Sequence, residues 1–317
     1  MADILNYVLL IVGFVLLIKG ADFFVDGASS IAAKLKVPSL IIGLTVVSIG
    51  TSLPEAAVSI SASLSGNNAI SLGNVIGSNI FNLLVVVGAS ALILPIATDK
   101  DLLKRDMPIN IGITALLCVL LLDGTLSRID AAILLVLLAA YMFILIRGAL
   151  KNRVEEEDEK KSLSWVKSLI FVVVGAAAII FGGDMVVDNA TAIATKLGMS
   201  ETLVGLTIVA IGTSLPELVT SIIAAKKGDS GIAMGNVLGS CIFNILFILG
   251  MAGVIQPMSA DSAFFIDSSI LIGVGVITTI FALTKKKTGR LEGAALLLIY
   301  IGYTAYIIMR AFHIWIF

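Results

Sequence analysis

The chain has 317 residues, 58% of them hydrophobic and only 14% charged, with a net charge of -1 and a mean hydropathy of +1.09. Soluble domains average about 45–50% apolar and about 25% charged residues, so an ordinary cytosolic enzyme is excluded, and a disordered chain needs the opposite balance. The charge rules out the basic surface that nucleic acid demands, and a single histidine, His313, with two cysteines in apolar stretches, Cys118 and Cys241, rules out a Cys/His metal cluster.

A bilayer core about 30 Å thick needs about 20 apolar residues per helix. Apolar runs of that kind lie near 4–25, 38–63, 70–94, 107–123, 130–148, 165–188, 201–225, 231–256, 264–283 and 291–311. The pattern predicts an all-α membrane protein of ten transmembrane helices with short connections. Met-Ala-Asp before the first run lacks the basic flank of a cleaved signal peptide. With the N-terminus outside, the inner connections carry sixteen Lys and Arg residues and the outer ones three, Arg128, Lys196 and Arg310. The positive-inside rule then places both termini outside, as expected for a multi-pass protein of the cell membrane. The hydrophilic segment 151–164 reads as a cytoplasmic linker. A regulatory cation site on Glu155, Glu156, Glu157 and Asp158 is the less favoured alternative there.

The two sides of that linker repeat each other at an offset of 162 residues. GLTVVSIGTSLPE at 43–55 matches GLTIVAIGTSLPE at 205–217 in 11 of 13 positions, and GNVIGSNIFN at 73–82 matches GNVLGSCIFN at 235–244 in 8 of 10. The same offset carries Asp22 and Asp26 onto Asp184 and Asp188. Residues 1–150 therefore form a first repeat of five spans, and 165–317 a second. Five is odd, so the second copy enters the membrane upside down. Inverted repeats of this kind build transporters, with the substrate site near the midplane where the repeats meet.

Glu55 and Glu217 sit deep in their spans. A carboxylate at that depth is costly and marks an ion path. Lys19 is the one basic residue well inside a span, so two carboxylates form a site of charge -2 that asks for a cation. Thr51 and Ser52 stand four and three residues before Glu55 on one helix face, as Thr213 and Ser214 do before Glu217. Pro54 and Pro216 remove the amide that would bond the carbonyls of Gly50 and Gly212, loosening each helix at depth. In the second motif Asn74, Ser78 and Asn82 form a polar stripe, repeated by Asn236, Ser240 and Asn244. Asn74 and Asn236 read as helix-packing residues, Asn82 and Asn244 as ion contacts. A ligand set of oxygens alone suits hard cations such as Ca²⁺ and Na⁺ and disfavours Zn²⁺ or Cu.

At these residues the chain resembles the cation/calcium exchanger superfamily, specifically its sodium/calcium exchanger branch in the short prokaryotic form. The paired GTSLPE and GNxxGSxIFN segments match that family's two alpha repeats. The resemblance implies four cation positions in a diamond formed by the second, third, seventh and eighth spans. Glu55 and Glu217 would be the central carboxylates. Thr51, Ser52, Ser78 and Asn82 complete one half; Thr213, Ser214, Ser240 and Asn244 complete the other. The backbone carbonyls of Ser48 and Ala210 would also serve sodium. The resemblance further implies exchange of three Na⁺ for one Ca²⁺ by alternating access, with the first and sixth spans sliding over the core. Asparagine at 244, where potassium-dependent relatives carry an acid, argues against potassium dependence. The expected partners are the two transported ions and the lipid bilayer, with no cofactor, no protein partner and no enzymatic activity.

Two other readings are weaker. A channel would want a ring or filter from subunits around an axis, and this chain has an internal inverted pair instead. An intramembrane hydrolase would need a nucleophile–base pair or a carboxylate dyad, which leaves the duplicated Ser, Thr and Asn residues unexplained.

Overall fold

A computed structural model describes residues 2–66, 68–151, 163–199, 204–260 and 262–312. The acidic run 155–158 and His313 lie outside the described residues. Nearly all of the rest is helical: α1 (Ala2–Leu35), α2 (Ser39–Thr51), α3 (Leu53–Leu64), α4 (Ile70–Ile93), α5 (Met107–Leu120), α6 (Arg128–Lys151), α7 (Trp165–Lys196), α8 (205–212), α9 (Leu215–Lys226), α10 (Ser230–Ile255), α11 (Ser262–Lys285) and α12 (Arg290–Ala311).

Seven of these, α1, α4, α6, α7, α10, α11 and α12, are long and apolar enough to cross a membrane singly, and α2 with α3 makes an eighth as a pair bent by 50°. The sequence runs gave ten. The difference has local causes. Ser52 leaves the helical region (φ -87°, ψ 9°) just before Pro54, and Ser214 does the same (φ -95°, ψ 7°) before Pro216. Each proline sits in the first turn of a new helix, where its missing amide costs nothing. A run that reads as one apolar segment is thus split in two. The fourth run is also short as an α-helix, because a π-helical turn at Leu102–Asp106 precedes α5.

α4 and α10 form the centre: 72% and 78% of their most apolar stretches are buried, against 33% for α1 and 28% for α7. The exposed flanks of α1 and α7 carry Ile11, Val15, Val166 and Val173, as a lipid-facing surface requires. Those two long helices run antiparallel along each other. A Cβ on Gly20 would meet the Gly175 carbonyl at 2.9 Å, and one on Gly182 would meet the Leu17 amide at 2.7 Å. Small residues let helices approach this closely in lipid, where no hydrophobic effect drives them together.

Two short antiparallel ladders tie connections of one half to the other. β1 (Ile96–Ala97) pairs with β4 (Lys287–Thr288), and β2 (Thr125–Leu126) pairs with β3 (Met258–Ser259). Shifting by 162 and exchanging halves turns the Ile96↔Thr288 pair into Met258↔Leu126. π-helical turns follow the same rule, at Gly43–Val47 and Gly205–Val209 and again at Asn82–Val86 and Asn244–Leu249. The sequence duplication is therefore a structural duplication about a pseudo-two-fold axis.

Candidate cation site

Glu55 and Glu217 each fall in the first turn of the helix begun by their proline, α3 and α9, and both are fully buried. Neither has a lysine or arginine partner among the described residues, and Lys19 lies on an exposed face of α1. Ser48, Thr51, Ser52, Ser240, Asn82 and Asn244 are fully buried around them, and Ser78 is 3% exposed. Thr213 is partly buried.

The partners cross between the halves. Ser52 Oγ donates to Glu217 Oε1 at 2.8 Å, and Ser214 Oγ donates to Glu55 Oε1 at 3.0 Å. Ser78 and Ser240 reach the same oxygens of Glu55 and Glu217, each at 3.4 Å. Ser214 and Ser78 are 3.1 Å apart. Helical spacing places Thr51 and Ser52 on the face of their own Glu55, but the break at Ser52 turns both toward the other repeat. Thr51 Oγ1 donates to Asn236 Oδ1 at 2.9 Å and approaches the Ser48 carbonyl at 3.3 Å.

Five buried oxygens in this cluster have no hydrogen-bond partner: Glu55 Oε2, Glu217 Oε2, Asn82 Oδ1, Asn244 Oδ1 and Thr213 Oγ1. A buried acceptor left unmade costs about 1–3 kcal/mol and more when charged. Unpaired carboxylate, amide and hydroxyl oxygens of this kind are the ligands a hard cation takes. Asn74 and Asn236 do what helix-packing residues do. Asn74 Nδ2 bonds the Glu55 carbonyl (3.3 Å) and Ser59 Oγ (2.9 Å); Asn236 Nδ2 bonds the Glu217 carbonyl (3.3 Å) and Ser221 Oγ (3.0 Å). Ser59 and Ser221 were missed in the sequence, although each stands four residues after its glutamate.

The two expected carbonyls differ. The Ser48 carbonyl accepts the Ser52 amide at 3.0 Å. In the second half the Ser214 amide turns to Ile211, at 3.2 Å, one residue past Ala210, which heads the short α-helical turn Ala210–Gly212.

The halves also differ in closure. α2 lies tight on α10: a Cβ on Gly235 would meet the Leu40 carbonyl at 2.7 Å, and one on Gly239 would meet Leu44 Cα at 2.8 Å. Their counterparts Gly73 and Gly77 on α4 have nothing within 4 Å and border a cavity of about 250 Å³. A larger cavity of about 610 Å³ reaches Pro54, Thr213 and Pro216 beside the glutamates, and α7 lines it with Gly183, Asp184 and Asp188. At the opposite end Lys227 Nζ lies 2.6 Å from both Asp22 and Asp26, and Ser29 Oγ donates to Asp229 Oδ2 at 2.9 Å. The Asp99 carboxyl beside them is pushed above the usual carboxylate range by burial, with Asp101 and Asp229 adding to it. The residue matching Lys227 in the first repeat is Ser65, so among the described residues Asp184 and Asp188 have no equivalent lysine clamp.

Known proteins resemble this chain over nearly its whole length. The family model described as sodium/calcium exchanger protein matches twice, over residues 5–147 and 167–309. A putative antiporter, CaxA, of Alkalimonas amylolytica is 38% identical over 93% of this chain and 96% of its own length. The sodium/calcium exchanger MaX1 of Methanosarcina acetivorans is 36% identical over 94% of this chain and 97% of its own. A solved structure of the sodium-calcium exchanger NCX_Mj, soaked with Na⁺ and Sr²⁺, superimposes with a TM-score of 0.84 at 36% identity. That alignment covers 95% of this chain and 98% of the other.

Proposed function

The chain belongs to the sodium/calcium exchanger family, and on that premise we propose that it is a secondary Na⁺/Ca²⁺ antiporter whose ions bind between Glu55 and Glu217. The observation that carries this reading is the pair of buried carboxylates with no lysine or arginine partner among the described residues, each bonded by a serine of the opposite repeat. Two negative charges without a basic partner need a cation for charge balance. Because each half supplies ligands to the other's carboxylate, moving one half relative to the other changes the site for both.

Alternating access then follows from the asymmetry. α2 closes one path by packing on α10, while α8 stands off α4 and the 610 Å³ cavity leads to the site. Exchanging the two arrangements between repeats opens the other path. In this reading the chain spans the cell membrane ten times with both termini outside, residues 1–150 and 165–317 are the two repeats, and 151–164 is the inner linker. The open cavity is the outer one, and the Lys227 clamp holds the inner end of α1. The remaining ligands are Thr51, Ser52, Ser78, Asn82, Thr213, Ser214, Ser240 and Asn244, with the carbonyls of Ser48 and Ala210. Three Na⁺ exchange for one Ca²⁺, without K⁺.

The test is ⁴⁵Ca²⁺ uptake into proteoliposomes of purified protein under an imposed outward Na⁺ gradient. Uptake that requires the gradient, saturates with Ca²⁺ and stops when Na⁺ is equal on both sides is expected. Uptake of equal size without internal Na⁺ would overturn antiport.

A further inference from the structure

The two GNxxGSxIFN segments differ at two positions, and one difference is polar: Asn79 in the first repeat, Cys241 in the second. These two residues meet. Asn79 Nδ2 donates to the Cys241 carbonyl at 3.0 Å, and Cys241 Sγ lies 3.9 Å from the Asn79 carbonyl. Residues related by the 162-residue offset can touch only beside the pseudo-two-fold axis, so the axis passes between them and the only polar mismatch of the motif sits on it.

The mismatch has a consequence for the site. Asn79 Oδ1 accepts from Asn244 Nδ2 at 3.0 Å. An amide is planar, so anchoring its nitrogen fixes where its oxygen points. The oxygen of Asn244 is buried and unpartnered. Asn82, its counterpart, meets Cys241 at the equivalent place, where a thiol sulfur, a weak acceptor, stands in for the amide oxygen. Neither polar atom of the Asn82 side chain makes a hydrogen bond of full geometry.

We propose that Asn79 is a positioning residue that locks the Asn244 amide with its oxygen toward the cation, so that the two asparagine ligands are unequal: Asn244 is pre-set by an amide, while Asn82 has only a weak thiol beside it. This rests on the site reading above. Pre-setting one ligand raises affinity because its ordering is complete before binding.

The experiment is a double-mutant cycle read by equilibrium Ca²⁺ binding to purified protein, with thermal midpoint measured in parallel. Asn79→Ala is expected to raise the Ca²⁺ Kd roughly 10-fold, the size of one lost buried hydrogen bond acting on a ligand. In the Asn244→Ala background the same substitution is expected to change Kd less than about 2-fold, because it acts through Asn244. A purely structural Asn79 would lower the thermal midpoint equally in both backgrounds and leave Kd alone, and that result overturns the proposal. So does a full 10-fold effect in both backgrounds. If Asn79→Ala does not fold, Asn79→Leu fills a similar volume without an acceptor and carries the same cycle. Glu217→Gln separates the two levels. Normal Ca²⁺ binding by it overturns the site reading itself; lost binding beside an unchanged Asn79→Ala overturns only the role of Asn79.

Discussion

Ser52 hands its hydroxyl hydrogen to Glu217, 165 residues away, at 2.8 Å, and not to Glu55 three residues ahead of it. The reciprocal bond runs from Ser214 to Glu55 at 3.0 Å. Neither repeat therefore completes its own carboxylate. An isolated repeat would bury a charged oxygen without its donor, at a cost of about 1–3 kcal/mol or more. The exchange joins the halves at the proposed cation site.

The carboxylates come first. Glu55→Gln or Glu217→Gln keeps the shape and removes one of two charges. Calcium, being divalent, loses most. Affinity for Ca²⁺ is expected to fall roughly 100-fold, by analogy with the dependence of Ca²⁺ sites on ligand charge, while the protein stays folded. Ca²⁺-dependent thermal stabilisation and ⁴⁵Ca²⁺ exchange on each purified variant check this. Normal exchange by either one contradicts a shared site.

The crossed serines make a second prediction. Ser52→Ala and Ser214→Ala each leave one carboxylate oxygen without a full donor set, and the two are related by symmetry. Each is expected to weaken Ca²⁺ binding about 10-fold, within the 1–3 kcal/mol of a lost bond to a charged group. A large effect of one and none of the other, measured by Ca²⁺ titration, argues that the bonds are not equivalent.

Much of this was legible in the sequence. A glutamate inside an apolar run is conspicuous because nothing in lipid solvates it, and its repetition at a fixed offset singled out both copies. Spacing by four separated Asn74 from Asn82 on one stripe, and chemistry assigned the first to packing, as found. Three features were not legible. Helical periodicity assigns Ser52 and Thr51 to the face of Glu55, because it assumes an unbroken helix; the kink at Ser52 redirects both. π-helical turns shift the register by one residue and leave no signature in composition. The Lys227 bridge to Asp22 and Asp26 joins residues some 200 positions apart, and only the packing of α1 between the halves brings them together.

Protons compete for the same oxygens. A proton on either glutamate would cancel one of the two charges proposed to hold Ca²⁺, so proton and calcium binding are expected to oppose each other. Lowering the pH is expected to raise the apparent KM for Ca²⁺ with little change in the maximal rate. Initial rates from about pH 8 down to about pH 5, still above the unperturbed Glu value of about 4.3, measure it. A KM that does not move over that range argues against competition.

Tight glycine contacts predict where bulk is not tolerated. A Cβ on Gly20 would sit 2.9 Å from the backbone of α7 at Gly175 and Ile179. Gly20→Val is expected to part α1 from α7 and cost about 1–3 kcal/mol, lowering the thermal midpoint in detergent. Gly302 has nothing within 4 Å, and Gly302→Ala is the matched control, expected to be neutral. Equal midpoints for both variants contradict the packing of α1 on α7.

Charge movement discriminates most sharply between coupling schemes. The site carries -2 from Glu55 and Glu217, which one Ca²⁺ neutralises and so do two Na⁺. If a third Na⁺ travels, each turnover carries one net positive charge in the direction of sodium. One elementary charge across 100 mV is worth about 2.3 kcal/mol, enough to shift the exchange equilibrium about 50-fold. In Na⁺-loaded vesicles taking up Ca²⁺, positive charge leaves on balance. An inside-positive potential is therefore expected to speed uptake and an inside-negative one to slow it. A potassium ionophore with chosen K⁺ gradients clamps the potential. The same vesicles test potassium directly: with equal K⁺ on both sides the potential is zero, and changing that concentration is expected to do nothing, in keeping with an uncharged Asn244. Uptake and final Ca²⁺ level independent of the clamped potential would mean two Na⁺ per Ca²⁺, and the third sodium would have to be abandoned.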